Sequence, residues 1–258
     1  MRITVLTENT CKSGEFNCEH GLSLYIEACG KKILFDMGQT ELFAENADKL
    51  GTDLSDVDFA VLSHGHYDHG GGLEKFLEIN EKAKVYVSRH AFGEYYNAVE
   101  KYIGLDKSLE NSQRLIFAED SQKITDGFTL YSCSENVKKY DLGSFGLTEK
   151  TEGGFMPDRF LHEQYLLIAE NSKKVLISGC SHKGILNIAE WFDVDAIVGG
   201  FHFSKLPTDE ILEGYAQILD RTGVKFYTCH CTGTEQYEFM KKTMEKLEYI
   251  SVGETILV

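Results

Sequence analysis

An α/β architecture, with β-sheets packed together and helices on the outside, is what this 258-residue sequence predicts. Three observations predict it. Short, β-rich apolar runs alternate with helix-spaced segments in both halves of the chain. Hydrophobic residues make up 42% and charged residues 26%, which is enough apolar material for a large core. Several apolar runs end in ligand-grade residues: Ser63–His64, Gly179–Cys180, Gly200–His202 and Cys229–His230–Cys231. Such endings are what a site at one edge of a sheet requires.

The elements follow in order. "RITVLTE" (2–8) reads as a buried first strand, and "LSLYIEAC" (22–29) and "KKILFDMG" (31–38) as a hairpin turning at Gly30–Lys31. Leu42, Phe43, Ala47 and Leu50 have helical spacing, and Gly51 is a stop signal. "VDFAVLS" (57–63) is a short strand, "GLEKFLEIN" (72–80) a helix and "AKVYVSRHA" (83–91) a strand. Residues 91 to about 130 read as mostly helical or irregular. Strands resume with 128–133, 163–170, 173–180, 194–201 and 224–231, and helices fit 184–192, 209–221 and 234–247. Only Pro157 and Pro207 occur, and no stretch has linker composition, so residues 1–258 read as one domain. The Tyr- and Phe-rich stretch within 91–160 is a candidate lid or pocket wall.

The formal charge of −15 disfavours nucleic acid, whose phosphates need clustered Lys and Arg, and an anionic membrane surface. A local basic pocket for a small anion remains open, with Lys205 a candidate. The amino terminus lacks a long apolar core, and no run of about 18 apolar residues suggests a membrane span. The seven cysteines are an odd number in a chain too long to need a disulfide framework. Reduced cysteines and a cytoplasmic location are therefore expected, with Cys11 and Cys18 structural and Cys229 and Cys231 packing groups.

The densest chemistry lies in "SHGHYDHGGGL" (63–73). Alternate residues of an extended segment share one side, so His64 and His66 can converge on one ion. A turn at Tyr67–Asp68 would carry Asp68 and His69 to a second ion. Imidazole and carboxylate suit Zn²⁺, Mn²⁺ or Fe²⁺ better than Ca²⁺ or Mg²⁺. Glycines 70 to 72 permit close backbone approach and positive φ.

With "ILFDMG" and "DVDFAVLSHGHYDHGGGL", the sequence resembles the metallo-β-lactamase superfamily across nearly its whole length. The resemblance implies an αββα sandwich, two mixed β-sheets flanked by helices, with one or two divalent transition-metal ions at one edge, zinc first and manganese or iron as alternatives. It casts Asp36 as support for the metal-binding loop. It places His162, before a hairpin, and Cys180, after a glycine, as further ligands, and His230 as the last one. Cysteine departs from the usual aspartate at that place, and His182, two residues on, is the rival ligand. Glutamate does not stand at His66, which sets the chain apart from the redox di-iron relatives.

"SGCSHKGILNI", "GGFHF" and "CHCTG" further resemble the dihydropterin synthase-like metal-dependent hydrolases. The implied activity is hydrolysis of an ester or phosphoester by a metal-activated water, with Asp68 orienting the nucleophile and His182 or His202 assisting the leaving group. Condensation of a dihydropterin with a phosphorylated ribofuranosyl-aminobenzene is the alternative, and a non-catalytic metal- and ligand-binding protein a third. The partner expected is a small molecule, an anionic one among the candidates; the sequence leaves the oligomeric state open.

Overall fold

The computed structural model describes all 258 residues. Two seven-stranded sheets stack face to face. In the first, the order is Thr255–Leu257, Arg2–Thr7, Ser23–Ala28, Lys31–Phe35, Phe59–Val61, Lys84–Ser88, Leu115–Ala118. In the second it is Leu247–Tyr249, Lys225–Thr228, Ala196–Val198, Lys173–Ile177, Tyr165–Glu170, Phe128–Tyr131, Ser121–Thr125. Each sheet is antiparallel on one side and parallel on the other. The mixed αββα sandwich expected from the sequence is thus the fold.

Period-2 burial explains the layering. In Arg2–Thr7, Ile3 and Val5 face the second sheet, whereas Leu6 faces the helix layer. A 22-residue core, mostly Ile, Val, Leu and Phe, fills the space between the sheets. A 20-residue cluster holds Leu42–Leu50 and Leu73–Ile79 on the outer face of the first sheet. A 17-residue cluster holds Ile185–Trp191, Glu210–Asp220 and Thr234–Met240 against the second.

Some expectations need correction. The first hairpin turns at Cys29–Gly30, both at positive φ (50° and 70°), one residue earlier than read, as a two-residue turn requires. No α-helix forms between residues 91 and 130; Leu115–Ala118 and Ser121–Thr125 are strands instead, the first an apolar run of only four residues and the second a partly exposed segment with one apolar residue, Ile124. The helix expected over 234–247 stops at Met240, because Leu247 is drawn into pairing with Phe226. Residues 148–157 form a hairpin that pairs with Tyr95–Tyr96 as a small third sheet. Cys11 and Cys18, expected to be reduced, are joined in a disulfide that closes the loop after the first strand.

Candidate metal centre

All the ligand-grade strand ends of the sequence meet at one edge of the sandwich, where the parallel strands of both sheets finish. Phe59–Val61 runs into Ser63 and His64, and His66 caps a one-turn helix, Tyr67–Gly70, that carries Asp68 and His69. Asp68 and His69 ride on this helix, not on an extended turn, and His69 stays beside His64, their rings 4.1 Å apart. Glycines 71 and 72 make this possible by closeness alone. A Cβ on Gly71 would lie 2.1 Å from the Gln39 carbonyl oxygen, and one on Gly72 would lie 2.3 Å from that of Met37. Their φ angles are −62° and −81°, so the expected positive φ is absent.

Asp36 organises the loop. It accepts hydrogen bonds from the Ser63 backbone N–H (2.6 Å), the Ser63 hydroxyl (2.7 Å) and His69 Nδ1 (2.7 Å). Because the Ser63 hydroxyl donates to Asp36, it accepts from His64 Nδ1 at 2.8 Å. The Nε2 atoms of His64 and His69 are thereby left as lone pairs aimed into the site. His230 repeats the device: its Nδ1 donates to Asn9 Oδ1 at 2.7 Å, and Glu8 accepts its backbone N–H at 3.0 Å.

Two groups of facing donors result. His64 Nε2 lies 3.3 Å from His182 Nε2, with His66 beside both, and His66 Nε2 and His182 Nδ1 are buried without hydrogen-bond partners. In the other group, His69 Nε2 lies 3.2 Å from His230 Nε2 and 3.1 Å from Cys180 Sγ. Asp68 Oδ2 lies 3.4 Å from His230 Nε2 and 3.7 Å from His69 Nε2. Buried, unpartnered imidazole nitrogens facing one another are costly unless a cation binds them, so the donor set fits the metal its resemblance implies.

His162 is turned elsewhere. Its Nδ1 accepts the Gly65 N–H at 2.9 Å and its Nε2 donates to Asp158 at 3.1 Å, so both ring nitrogens are used within the protein. Gln164 N–H bonds the Ser63 carbonyl oxygen, which fixes the alternation and points Glu163, not His162, at the 181–183 turn. The place beside His64 and His66 is filled by His182. Glu163 holds it there, accepting the backbone N–H groups of His182 (2.6 Å) and Lys183 (2.9 Å) and the Tyr165 hydroxyl (2.6 Å). Ser181, at φ 57°, makes the turn that delivers the ring.

Other residues were not singled out from the sequence. His20 brings Nε2 to 3.3 Å from Asp68 Oδ2, and its ring lies 4.8 Å from that of His230. Asn9 and Glu8 carry no spacing signal toward His230, because only the fold brings the first strand end to the last. Cys231 also differs from its reading as packing. The chain leaves Lys225–Thr228 at Cys229 and enters a 3₁₀ turn, which breaks strand alternation and puts Cys231 on the cavity wall, while Cys229 stays in the core.

Burial dominates the electrostatics. It pushes the pKa of His64 and His182 well below the usual histidine value, reinforced by neighbouring imidazoles, and lowers that of His66. For Asp68 burial acts upward, but His69, His20 and His230 outweigh it and hold the carboxyl well below its usual range. Burial pushes the Cys180 thiol up, a barrier that a bound cation removes. A cavity of about 180 Å³ opens over the groups; Tyr67, Ile103 and Leu147 form an apolar wall, and Asn97, Ser204 and Lys205 a polar one. His202 is on the same wall, its ring 4.3 Å from that of His182. A larger cavity of about 560 Å³, around Tyr131, Trp191 and Phe192, contains none of these histidines.

Residues 17–218 match the family model described as the metallo-beta-lactamase superfamily. An uncharacterized protein of Methanocaldococcus jannaschii is 30% identical over 242 residues, 90% of each chain. The 7,8-dihydropterin-6-methyl-4-(beta-D-ribofuranosyl)-aminobenzene-5'-phosphate synthase of the same organism is 28% identical over 270 residues, covering 93% of this chain and 90% of its own. Among solved structures, Tm1679, described as a metal-dependent hydrolase of the beta-lactamase superfamily, aligns at a TM-score of 0.85 and 31% identity, over 100% of this chain and 99% of that one. Motif, sandwich and strand-edge donor groups agree with these matches: the chain belongs to the metallo-β-lactamase superfamily and has its metal-dependent hydrolase fold.

Proposed function

We propose that the protein hydrolyses an ester or phosphoester with one or two divalent transition-metal ions, zinc first, held by the two donor groups. The observation that carries this reading is the pair of groups itself: His64, His66 and His182 on one side, and Asp68, His69, His230 and Cys180 on the other, opening on one cavity. Ions held there supply Lewis acidity and a water nucleophile at neutral pH.

The chain's own groups do the rest. Ser63 and Asp36 fix His64 and His69, Asn9 fixes His230, and Glu163 fixes His182, so the donors are set before substrate arrives. Asp68 stays ionised and orients the nucleophile by accepting its hydrogen bond at Oδ2, beside His20. Lys205 and Ser204 offer an anionic substrate group a partner, and Tyr67, Ile103 and Leu147 exclude water behind an apolar moiety. His182, placed among the donors, is unavailable for the leaving-group role that the sequence reading gave it.

The test is a screen of the zinc- and manganese-reconstituted protein against phosphodiester, phosphomonoester, lactone and thioester substrates. Turnover of at least one class should disappear on chelation and in His64→Ala/His66→Ala. Equal turnover in that double variant overturns the reading. A second reading, condensation onto a dihydropterin, is favoured by the similarity to the synthase across 93% of this chain. Mass analysis decides it: a condensed product from a dihydropterin and a ribofuranosyl-aminobenzene phosphate, with no ester class turned over, supports the second reading.

A further inference from the structure

We propose a sulfur-rich metal position formed by Cys180, Cys231 and His202, adjoining the imidazole groups and linked to them through Cys180. The ligand atoms of these three residues all lie within 4.8 Å of one another. Cys231 and His202 belong to neither group invoked above. His202 Nδ1 is buried with no hydrogen-bond partner, and both thiols are almost wholly buried. All three residues line the same cavity.

The fold builds this position deliberately close. Its residues follow three neighbouring parallel strands, Lys173–Ile177, Ala196–Val198 and Lys225–Thr228. Gly200 makes room for the thiol, since a Cβ there would lie 2.3 Å from Cys231 Sγ. Gly200 N–H donates to the Gly179 carbonyl oxygen (2.8 Å), and Phe201 N–H to the Thr232 hydroxyl (2.9 Å), which ties the three strand ends together. His202 sits at φ 57°, a conformation an L-residue adopts at a cost, and this turns its ring inward against His182 and Phe145.

Two ligands bound at about 2.3 Å in a tetrahedral site lie about 3.7 Å apart, so the observed spread closes with small side-chain movements. Two thiols and an imidazole are a soft donor set. It selects Zn²⁺ over Mn²⁺ or Mg²⁺, and three protein ligands leave the remaining coordination place open to the cavity. Both sulfurs bind as thiolates, any thiol proton leaves to solvent, and the thiolates balance the charge of the divalent ion.

The test uses the full chain and needs no substrate, so its outcome is independent of whether the protein is a hydrolase. Cobalt(II) titration of metal-stripped protein should give sulfur-to-cobalt charge-transfer absorption in the near ultraviolet. Cys231→Ser should remove about half of that intensity and weaken one equivalent of zinc tenfold or more, and His202→Gln should weaken the same equivalent. His64→Ala/His66→Ala should keep the sulfur band. A folded Cys231→Ser protein with unchanged band and zinc content overturns the proposal. In the unmutated protein, zinc should also protect Cys180 and Cys231 from iodoacetamide, read by peptide mass. Equal alkylation with and without zinc overturns it as well, even if the serine variant fails to fold.

Discussion

At the scale of single residues, the centre is a set of imidazoles kept neutral by burial, and this has a pH signature. His64, His66 and His182 have folded-state pKa values below the usual 6.5, chiefly through desolvation. The unfolded chain takes up their protons as pH falls below about 6.5, while the folded chain does not. Their contribution to stability is therefore present above that pH and is lost as pH falls from it toward the folded values. Each histidine charged only in the unfolded chain contributes about 1.4 kcal/mol per pH unit. His20, raised by its hydrogen bond to Asp68, works the other way. Urea unfolding of metal-stripped protein should thus show stability falling steeply between pH 6.5 and 5, and a flat profile would contradict the burial argument. Residue identity was also the most legible level. Asp36, His64, His66, Asp68, His69, Cys180 and His230 stand in the sequence at the ends of apolar runs, and the fold gathers them. The choice between His162 and His182 was not legible, because it depends on which face of Glu163–Gln164 the Ser63 carbonyl selects, a contact made across about 100 residues.

At the scale of elements, strands with period-2 apolar runs were readable and half-exposed ones were not. Ile3, Val5, Ile33 and Phe35 announce their strands; Leu115–Ala118 is an apolar run of only four residues, and Ser121–Thr125 has Ile124 as its one apolar residue. The one-turn helix Tyr67–Gly70 is invisible to periodicity and depends on glycine at 71, where backbone of Gln39 and Tyr67 crowds the missing Cβ. Gly71→Ala should cost roughly 1–3 kcal/mol in thermal or urea unfolding, and should lower bound metal because Asp68 and His69 move. Gly214→Ala is the contrasting case. It lies within Glu210–Asp220 with nothing within 4 Å of a new Cβ, and should stabilise the protein by about 0.5–1 kcal/mol. If both changes behave alike, close approach is not what the motif glycines provide.

At the scale of the whole molecule, the donors are split between the two sheets: His64, His66, Asp68 and His69 follow the first, Cys180, His182 and His230 the second. An ion bound between them is a cross-link that the unfolded chain lacks. Metal at 100 times its dissociation constant should add about 2.7 kcal/mol, read as a rise in Tm that a chelator reverses. Unchanged Tm on chelation would mean that the sheets do not share the ion. Strand order within the first sheet sets the order of events during synthesis. Arg2–Thr7 is hydrogen-bonded on one side to Ser23–Ala28 and on the other to Thr255–Leu257, with Ile3 between Ile26 and Ile256. At about 5–20 residues per second, that second edge stays bare for on the order of 10–50 seconds on the ribosome. A bare edge is a template for joining another chain, so in translating cells Arg2–Thr7 stays open to wrong partners until Thr255–Leu257 arrives.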